Sequence, residues 1–338
     1  GSNAIGILFC ANGIDGTRGI EAIAQANGLI MVEEKNSNKP VRLAGSDIEI
    51  DRTDYNLSPQ EMPNHILEYI EFYMNQTKES IEVELKTLFS IIRQASATDF
   101  AVYKQASVMR RIQRRMGMLD IQYLKEYNKY LYHHTNEVTL LQKDLLIGVT
   151  EFFRDPAAFL ILADKVIPAI FERQRLNKQI RVWVPGCSTG EEVYSIAILM
   201  RKFMEETEEV FEIKLFATDL DKDAIKTASK GIYAENISKN VPPDLLKAYF
   251  TRNGDHYKVN KEIRQMIIFA EHNLLNDPPF IQMDLISCRN LLIYLQPEAQ
   301  RKVITIFDFS LKSQAYLFLG PSETLGKLTN LFIPLNNK

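Results

Sequence analysis

Cysteine is scarce in this 338-residue chain, and Cys10, Cys187 and Cys288 stand far apart. No Cys-x-x-Cys occurs, and the five histidines do not gather around the thiols. That argues against a disulfide framework and against structural zinc, so no metal is expected. Reduced thiols suit a cytoplasmic protein. No apolar run reaches the roughly 18 residues that span a bilayer, and no signal peptide is seen, so direct membrane insertion is not expected. Neither sign of charge dominates: 40 Lys and Arg stand against 43 Asp and Glu, for a net charge of −3. There is no global pull toward nucleic acid, and any basic patch must be local. The two common phosphate cradles, Gly-x-Gly-x-x-Gly and the Walker loop with its lysine, are missing as well. The opening Gly1-Ser2-Asn3-Ala4 reads like an expression scar, so the chain is expected to be a piece of a longer protein.

What is present suffices for two domains, or one large domain with an appendage: 46% of residues are hydrophobic and 25% charged, as in ordinary globular chains. Residues 4–75 hold short strands at Ile5–Cys10 and Gly28–Val32, a turn at Asn12–Gly16 and a helix from about Thr17 to Ala26. Residues 33–58 are polar and irregular, and Ser58-Pro59-Gln60-Glu61 reads as a capped helix start. So little sheet buries little surface, and the block is not expected to stand alone. Residues 80–147 are nearly free of Gly and Pro. Apolar side chains recur there at three- and four-residue spacing through Leu85, Leu88, Phe89, Ile92 and again Leu124, Tyr127, Leu131, which predicts a helical bundle.

From residue 148 onward strands alternate with helices. Strands are expected at 180–184, 213–218, 266–270, 283–287 and 315–320, with a last one at 329–334. The alternation lapses at about 232–263. There Asn253-Gly254 between Tyr249-Phe250 and His256–Val259 signals a hairpin, hence a small antiparallel insertion. The expected fold class is α/β: a Rossmann-like parallel sheet over 148–338 with that insertion, a helical bundle at 80–147 and an α/β fragment at 4–75.

The most informative stretch is Arg181–Glu192, a strand running into the turn Gly186-Cys187-Ser188-Thr189-Gly190 and ending in two acids. The next strand ends in Asp219. An acid at such a strand tip can accept hydrogen bonds from ribose hydroxyls. Alone, Gly186–Gly190 serves tight packing as readily as a ligand, and Asp219 could equally cap the helix after it. A turn without a phosphate cradle, flanked by Glu191 and Asp219, repels phosphate and suits a cationic nucleoside; S-adenosylmethionine matches. Two further segments lie near strand or helix ends. Cys288–Leu295 follows a strand, with Tyr294 readable as core and Arg289 as a surface ion pair. Gly148–Asp155 packs Thr150, Glu151, two phenylalanines and Arg154 before a helix, with Thr150 readable as its cap.

Taken together, Thr150–Arg154, Ser188–Glu192, Thr218–Asp221, Cys288–Tyr294 and the closing Gly320–Leu325 resemble the chemotaxis receptor glutamate methyltransferases (CheR) over about residues 85–335. The resemblance implies S-adenosylmethionine held by Thr150, Arg154, Glu191, Asp219, Asn273, Leu274, Arg289 and Asn290, with S-adenosylhomocysteine as product. Tyr294 and Arg154 would be catalytic. One departure is Gly148, where the family commonly has Asn. Residues 4–75 resemble the carboxyl-terminal part of the chemotaxis methylesterase (CheB) through Gly13–Thr17, with Asp15 matching that enzyme's aspartate. Its serine and histidine are missing, so no esterase activity is expected, and Gly13 and Gly16 serve as turn glycines. The chain then looks like a piece of a fusion of the two.

Arg110, Arg111, Arg114 and Arg115 cover roughly 140° of one helix face, opposite Val108, Met109, Ile112 and Met116. A solvated face is the plain reading. By the resemblance, the stripe would meet the acidic cytoplasmic helical region of a chemoreceptor or similar signalling protein. The competing functional expectation is a catalytically weak module that binds cofactor without turnover.

Overall fold

The structure is a computed structural model describing residues 4–9, 19, 23, 28–33, 55–75, 78–96, 98–146, 148, 150–329 and 331–335. The chain divides into two compact units, Gly1–Leu145 and Leu146–Lys338.

In the first unit β1 (Ile5–Leu8), β2 (Leu29–Glu33) and β3 (Tyr55–Leu57) form a parallel sheet in sequence order. The Asn12–Gly16 turn, Asp15 and most of the 17–26 helix lie outside the described residues. Ser58 and Glu61 close a turn just before the helix, which starts at Met62 rather than at Pro59: the Glu61 carboxylate accepts from the Ser58 amide (3.0 Å) and hydroxyl (2.6 Å). Helices follow at Met62–Asn75, Lys78–Ser96, Gln105–Met118, Leu124–His133 and Thr135–Leu145. Leu85, Leu88, Ile92, Leu124, Tyr127 and Leu131 are buried, as helical periodicity requires.

The second unit is built on β4 (Gln179–Pro185), β5 (Glu212–Asp219), β9 (Ile267–Glu271), β10 (Met283–Cys288) and β11 (Leu311–Leu319). All pair in parallel, in the order β11-β10-β4-β5-β9. Helices on the faces make the central strands nearly continuous apolar runs; Val182, Trp183, Val184, Leu285 and Ile286 are all buried. The chain runs outward from β4 through β5 to β9 and then returns to β10 on the other side of β4. The carboxyl ends of β4 and β10 therefore flank the switch point, where open α/β sheets bind ligands. This is the Rossmann-like arrangement expected. β9 sits one residue later than predicted. The strand expected at 329–334 does not form among the described residues. Leu331 and Ile333 are exposed, so that apolar run has no sheet face to cover.

Between β5 and β9, β6 (Ile232–Ala234), β7 (Phe250–Asn253) and β8 (His256–Val259) form an antiparallel sheet in the order β6-β8-β7. Asn253 pairs with His256, so Gly254 and Asp255 make the turn, with Gly254 at φ 65°. Phe152 packs edge-on against Tyr233 and Phe250, tying this insertion to the Thr150–Arg154 segment.

Candidate cofactor site

The turn after β4 is held open by backbone conformation. Gly186 (φ 70°), Ser188 (φ 48°) and Gly190 (φ 98°) alternate in the left-handed region. A Cβ on Gly190 would lie 3.0 Å from the Ala228 Cβ and 3.1 Å from the Tyr233 hydroxyl, so this close approach needs glycine. The turn is laced to β5: the Cys187 amide donates to the Thr218 carbonyl (3.0 Å), and the Ser188 amide to the Asp219 carboxylate (2.8 Å). The buried Trp183 indole donates to the Thr218 hydroxyl (3.0 Å), fixing the strand tip from below.

Asp219 does not cap the next helix. Asp221 does, accepting from the Asp223 and Ala224 amides, while the other Asp219 oxygen accepts from Asp221 N (2.9 Å). Burial raises the Asp219 carboxyl above its ordinary value, opposed by these amide bonds. Each carboxylate oxygen keeps acceptor capacity for a hydroxyl. The amide of His272 donates to the Asp219 carbonyl (3.0 Å), which brings Asn273 and Leu274 to this tip. Asn273 is braced there by Asp277 and Leu275.

The two adjacent acids of the turn diverge. Glu191 accepts from the Thr189 hydroxyl (2.6 Å), and burial pushes its carboxyl up to about 7. With Thr150, Glu151, Thr189, Tyr233 and Asn240 it lines a cavity of about 270 Å³. Glu192 turns inward, accepts from the Ser287 hydroxyl (2.7 Å) and faces the Arg289 guanidinium (3.6 Å). Burial raises its carboxyl, and Arg289 is the largest opposing influence.

Arg289 is not a surface residue: its side chain is 0% exposed. Its guanidinium lies between the Phe159 and Phe318 rings. It donates to the Arg154 carbonyl (2.8 Å) and pairs with Asp155 (3.4 Å) and Glu192. One arginine thereby joins the three site segments, Thr150–Asp155, Gly186–Glu192 and Cys288–Tyr294. Thr150 caps no helix; the Pro156–Ile161 helix begins after Asp155, which lies at φ 65°. The segment is anchored by the Phe153 amide donating to the Ser195 hydroxyl (3.0 Å). Gly148 is anchored through its carbonyl, which accepts from Ser188 Oγ (2.9 Å), and a Cβ there would lie 3.2 Å from that oxygen. Tyr294 is half-buried at the end of the short Leu292–Tyr294 turn, and Asn290 precedes it at φ 59°.

The basic helix belongs to the first unit. Only Arg114 of its four arginines is exposed. Arg115 pairs with Glu137 (2.6 Å) and Asp144 (3.7 Å), Arg111 donates to the Asp144 carbonyl (2.9 Å), and Arg110 donates to the Gly28 carbonyl (3.3 Å). Tyr127 completes the network by donating to Glu137 (2.8 Å). Residue reading gave Glu192 only as the second acid of the turn, with no role, and missed Ser195, Ser287 and Glu137; polar residues at helical or strand spacing were the only signal for those three. Among the described residues no group of three or more His, Cys, Asp or Glu side chains could hold a metal ion.

Residues 148–338 match the CheR methyltransferase SAM-binding domain, and residues 83–146 match the CheR methyltransferase all-alpha domain. The chain belongs to the CheR methyltransferase family. Residues 1–66 match the CheB methylesterase family. The chain is 34% identical to a 104.1 kDa protein of Rhodobacter capsulatus across 99% of its own length, and it spans 38% of that relative. It is 30% identical to the putative methyltransferase Cher3 of Pseudomonas putida, covering 74% of this chain and 91% of that one. The chemotaxis protein methyltransferase of Escherichia coli is also 30% identical, over 74% of this chain and 87% of that one. Residues 148–338 are thus an S-adenosylmethionine-binding domain of the methyltransferase family. Its donor set fits the cofactor: two desolvated acids and no lysine in the turn suit a nucleoside carrying sulfonium and ammonium charges. No helix among the described residues is long and apolar enough to cross a membrane.

Proposed function

We propose that this chain forms methyl esters on glutamate side chains in the helical cytoplasmic region of a chemoreceptor-like protein. The observation that carries the reading is the Gly186–Glu192 turn beside the switch point, tied to Asp219 through the Ser188 amide and, through Glu192 and Arg289, to the Thr150–Arg154 segment. S-adenosylmethionine supplies an electrophilic methyl group: a carboxylate oxygen bonds to its carbon as the carbon–sulfur bond breaks and the electron pair returns to sulfur. A glutamate side chain is already ionised at pH 7, so no general base is required and no proton moves. What remains for the protein is positioning and exclusion of water.

In this reading Asp219 accepts from the ribose hydroxyls, and Glu191 faces the cationic end. Thr150, Asn273, Leu274, Asn290 and Arg289 complete the cofactor shell, Arg289 acting through the Arg154 segment it holds. Arg154 holds a carboxylate, and Tyr294 orients the attacking oxygen. Arg114, the exposed member of the Arg110, Arg111, Arg114 and Arg115 face, would attract the acidic partner helix. A radiolabel-transfer assay with receptor fragments, reading base-labile methyl esters, tests the proposal. Binding of cofactor with no transfer to any fragment would leave only a binding module.

Tyr294→Phe is expected to lower the transfer rate by about 10-fold or more while cofactor affinity stays within about 2-fold, the pattern of a contact made in the transition state. Parallel single-turnover and calorimetric measurements check it, and equal losses in both would make Tyr294 structural.

Cofactor affinity should also depend on Glu191. Without ligand the raised carboxyl favours its neutral form below about 7, and its stabilising contribution is lost as pH rises through that value. A bound cation favours the ionised form, so affinity should climb from about pH 6 to pH 8, with a proton released at the acid end. Glu191→Gln should flatten the curve. Calorimetry in buffers of different ionisation enthalpy reads both effects.

The arginines should separate. Arg114→Ala is expected to raise KM for a receptor fragment, most at low salt, with stability unchanged. Arg115→Ala should instead destabilise the first unit by about 3–5 kcal/mol, because Glu137 is left buried without its partner. Denaturation curves alongside salt-dependent kinetics would distinguish the two.

A further inference from the structure

Glu323 lies after β11, in the loop that follows Gly320, and the reading above gives it no role. The short turn Leu292–Tyr294 carries Tyr294, and like any helical start it leaves its first amides without partners inside the turn. The Glu323 carboxylate meets them. Oε1 accepts from the Leu291 amide (2.9 Å) and the Leu292 amide (2.8 Å), and Oε2 accepts from the Gly320 amide (2.7 Å). The Glu323 amide in turn donates to the Gly320 carbonyl (3.1 Å). One carboxylate thus clamps the loop after β10 to the loop after the adjacent β11. A Cβ on Gly320 would lie 2.9 Å from Oε2 and 3.2 Å from the Asn290 amide, so a larger residue there would press on the clamp. Burial raises the Glu323 carboxyl while the surrounding amides oppose that shift, so these bonds hold the charge in a desolvated place.

We infer that Glu323 is a positioning residue for methyl transfer: it sets the backbone of Asn290–Tyr294, and so the aim of Tyr294, without touching cofactor or substrate. The inference rests on the transfer reading above, in which Tyr294 orients the acceptor. Glu323→Gln keeps the size of the side chain but turns an acceptor into an amide group facing N–H donors. Glu323→Asp keeps the charge and withdraws it by one methylene.

The test is a double-mutant cycle on transfer rate with Tyr294→Phe, run beside hydrogen exchange at Leu291 and Leu292. Glu323→Gln is expected to cut the transfer rate by roughly 10-fold or more, with cofactor affinity within about 3-fold of wild type. In the Tyr294→Phe background the same change should cost less than about 3-fold, because the group it aims is already gone. Protection of the two amides should fall by roughly 10- to 100-fold. Full additivity with Tyr294→Phe, or an unchanged rate with lost protection, would overturn the inference and leave a structural clamp. If Glu323→Gln unfolds the chain, Glu323→Asp carries the same cycle. Wild-type protein that transfers to no receptor fragment would sink the transfer reading itself, an outcome visible before any variant is compared.

Discussion

Asp219→Ala is expected to weaken S-adenosylmethionine binding by roughly 10²- to 10⁴-fold, because two hydrogen bonds to an ionised group are worth about 3–6 kcal/mol together. Asp219 also accepts from the Ser188 and Asp221 amides, so the alanine variant loosens the turn as well as losing the ribose contacts. Asp219→Asn separates the two effects. It keeps one acceptor oxygen, so it should retain more of the fold than of the affinity. Titration calorimetry with S-adenosylhomocysteine, beside thermal unfolding of each variant, reads both quantities. Unchanged affinity in Asp219→Ala would sink the ribose assignment.

The second large effect is expected at Arg289. Arg289→Met should destabilise the second unit by about 3–5 kcal/mol, since it leaves the inward-facing Glu192 against an apolar side chain inside the fold. A direct contact with the cofactor would give another pattern: lost affinity at unchanged stability. Pairing Arg289→Met with Glu192→Met should recover much of the loss, because an apolar pair of similar volume replaces the ion pair. Chemical denaturation of the two single variants and the double variant completes the cycle. A double variant as unstable as the sum of the singles would show that Glu192 is not the partner that matters.

Much of the architecture was legible in the sequence because central parallel strands are written as apolar runs. Val182-Trp183-Val184 and Leu285-Ile286 could hardly be anything else once helices cover both faces. The hairpin was legible through Gly254, whose backbone conformation few residues share. The apolar run at 331–333 misled for the same reason that the others informed: hydropathy reports the wish to be buried, not the presence of a surface to be buried against. Side-chain direction within the site was not legible. Glu191 and Glu192 are chemically identical neighbours, yet one faces the cavity and the other a buried guanidinium. Arg289 read as a surface charge because nothing in the chain announces that two phenylalanine rings from distant segments enclose it.

The strand order has a kinetic consequence. Gln179 on β4 meets Glu212 on β5 across 33 positions, whereas Arg181 on β4 meets Asp284 on β10 across 103. Closing the longer loop costs only about 1 kcal/mol more in chain entropy, but it waits on everything between, including the insertion. The half of the site that carries Asp219 can therefore form early, and the half that carries Arg289 and Tyr294 joins last. If, as proposed, the cofactor contacts both halves, its binding would select chains whose sheet is complete. S-adenosylmethionine would then act on this protein as a folding ligand as well as a reactant, raising its apparent stability in proportion to the logarithm of its concentration once that exceeds the dissociation constant.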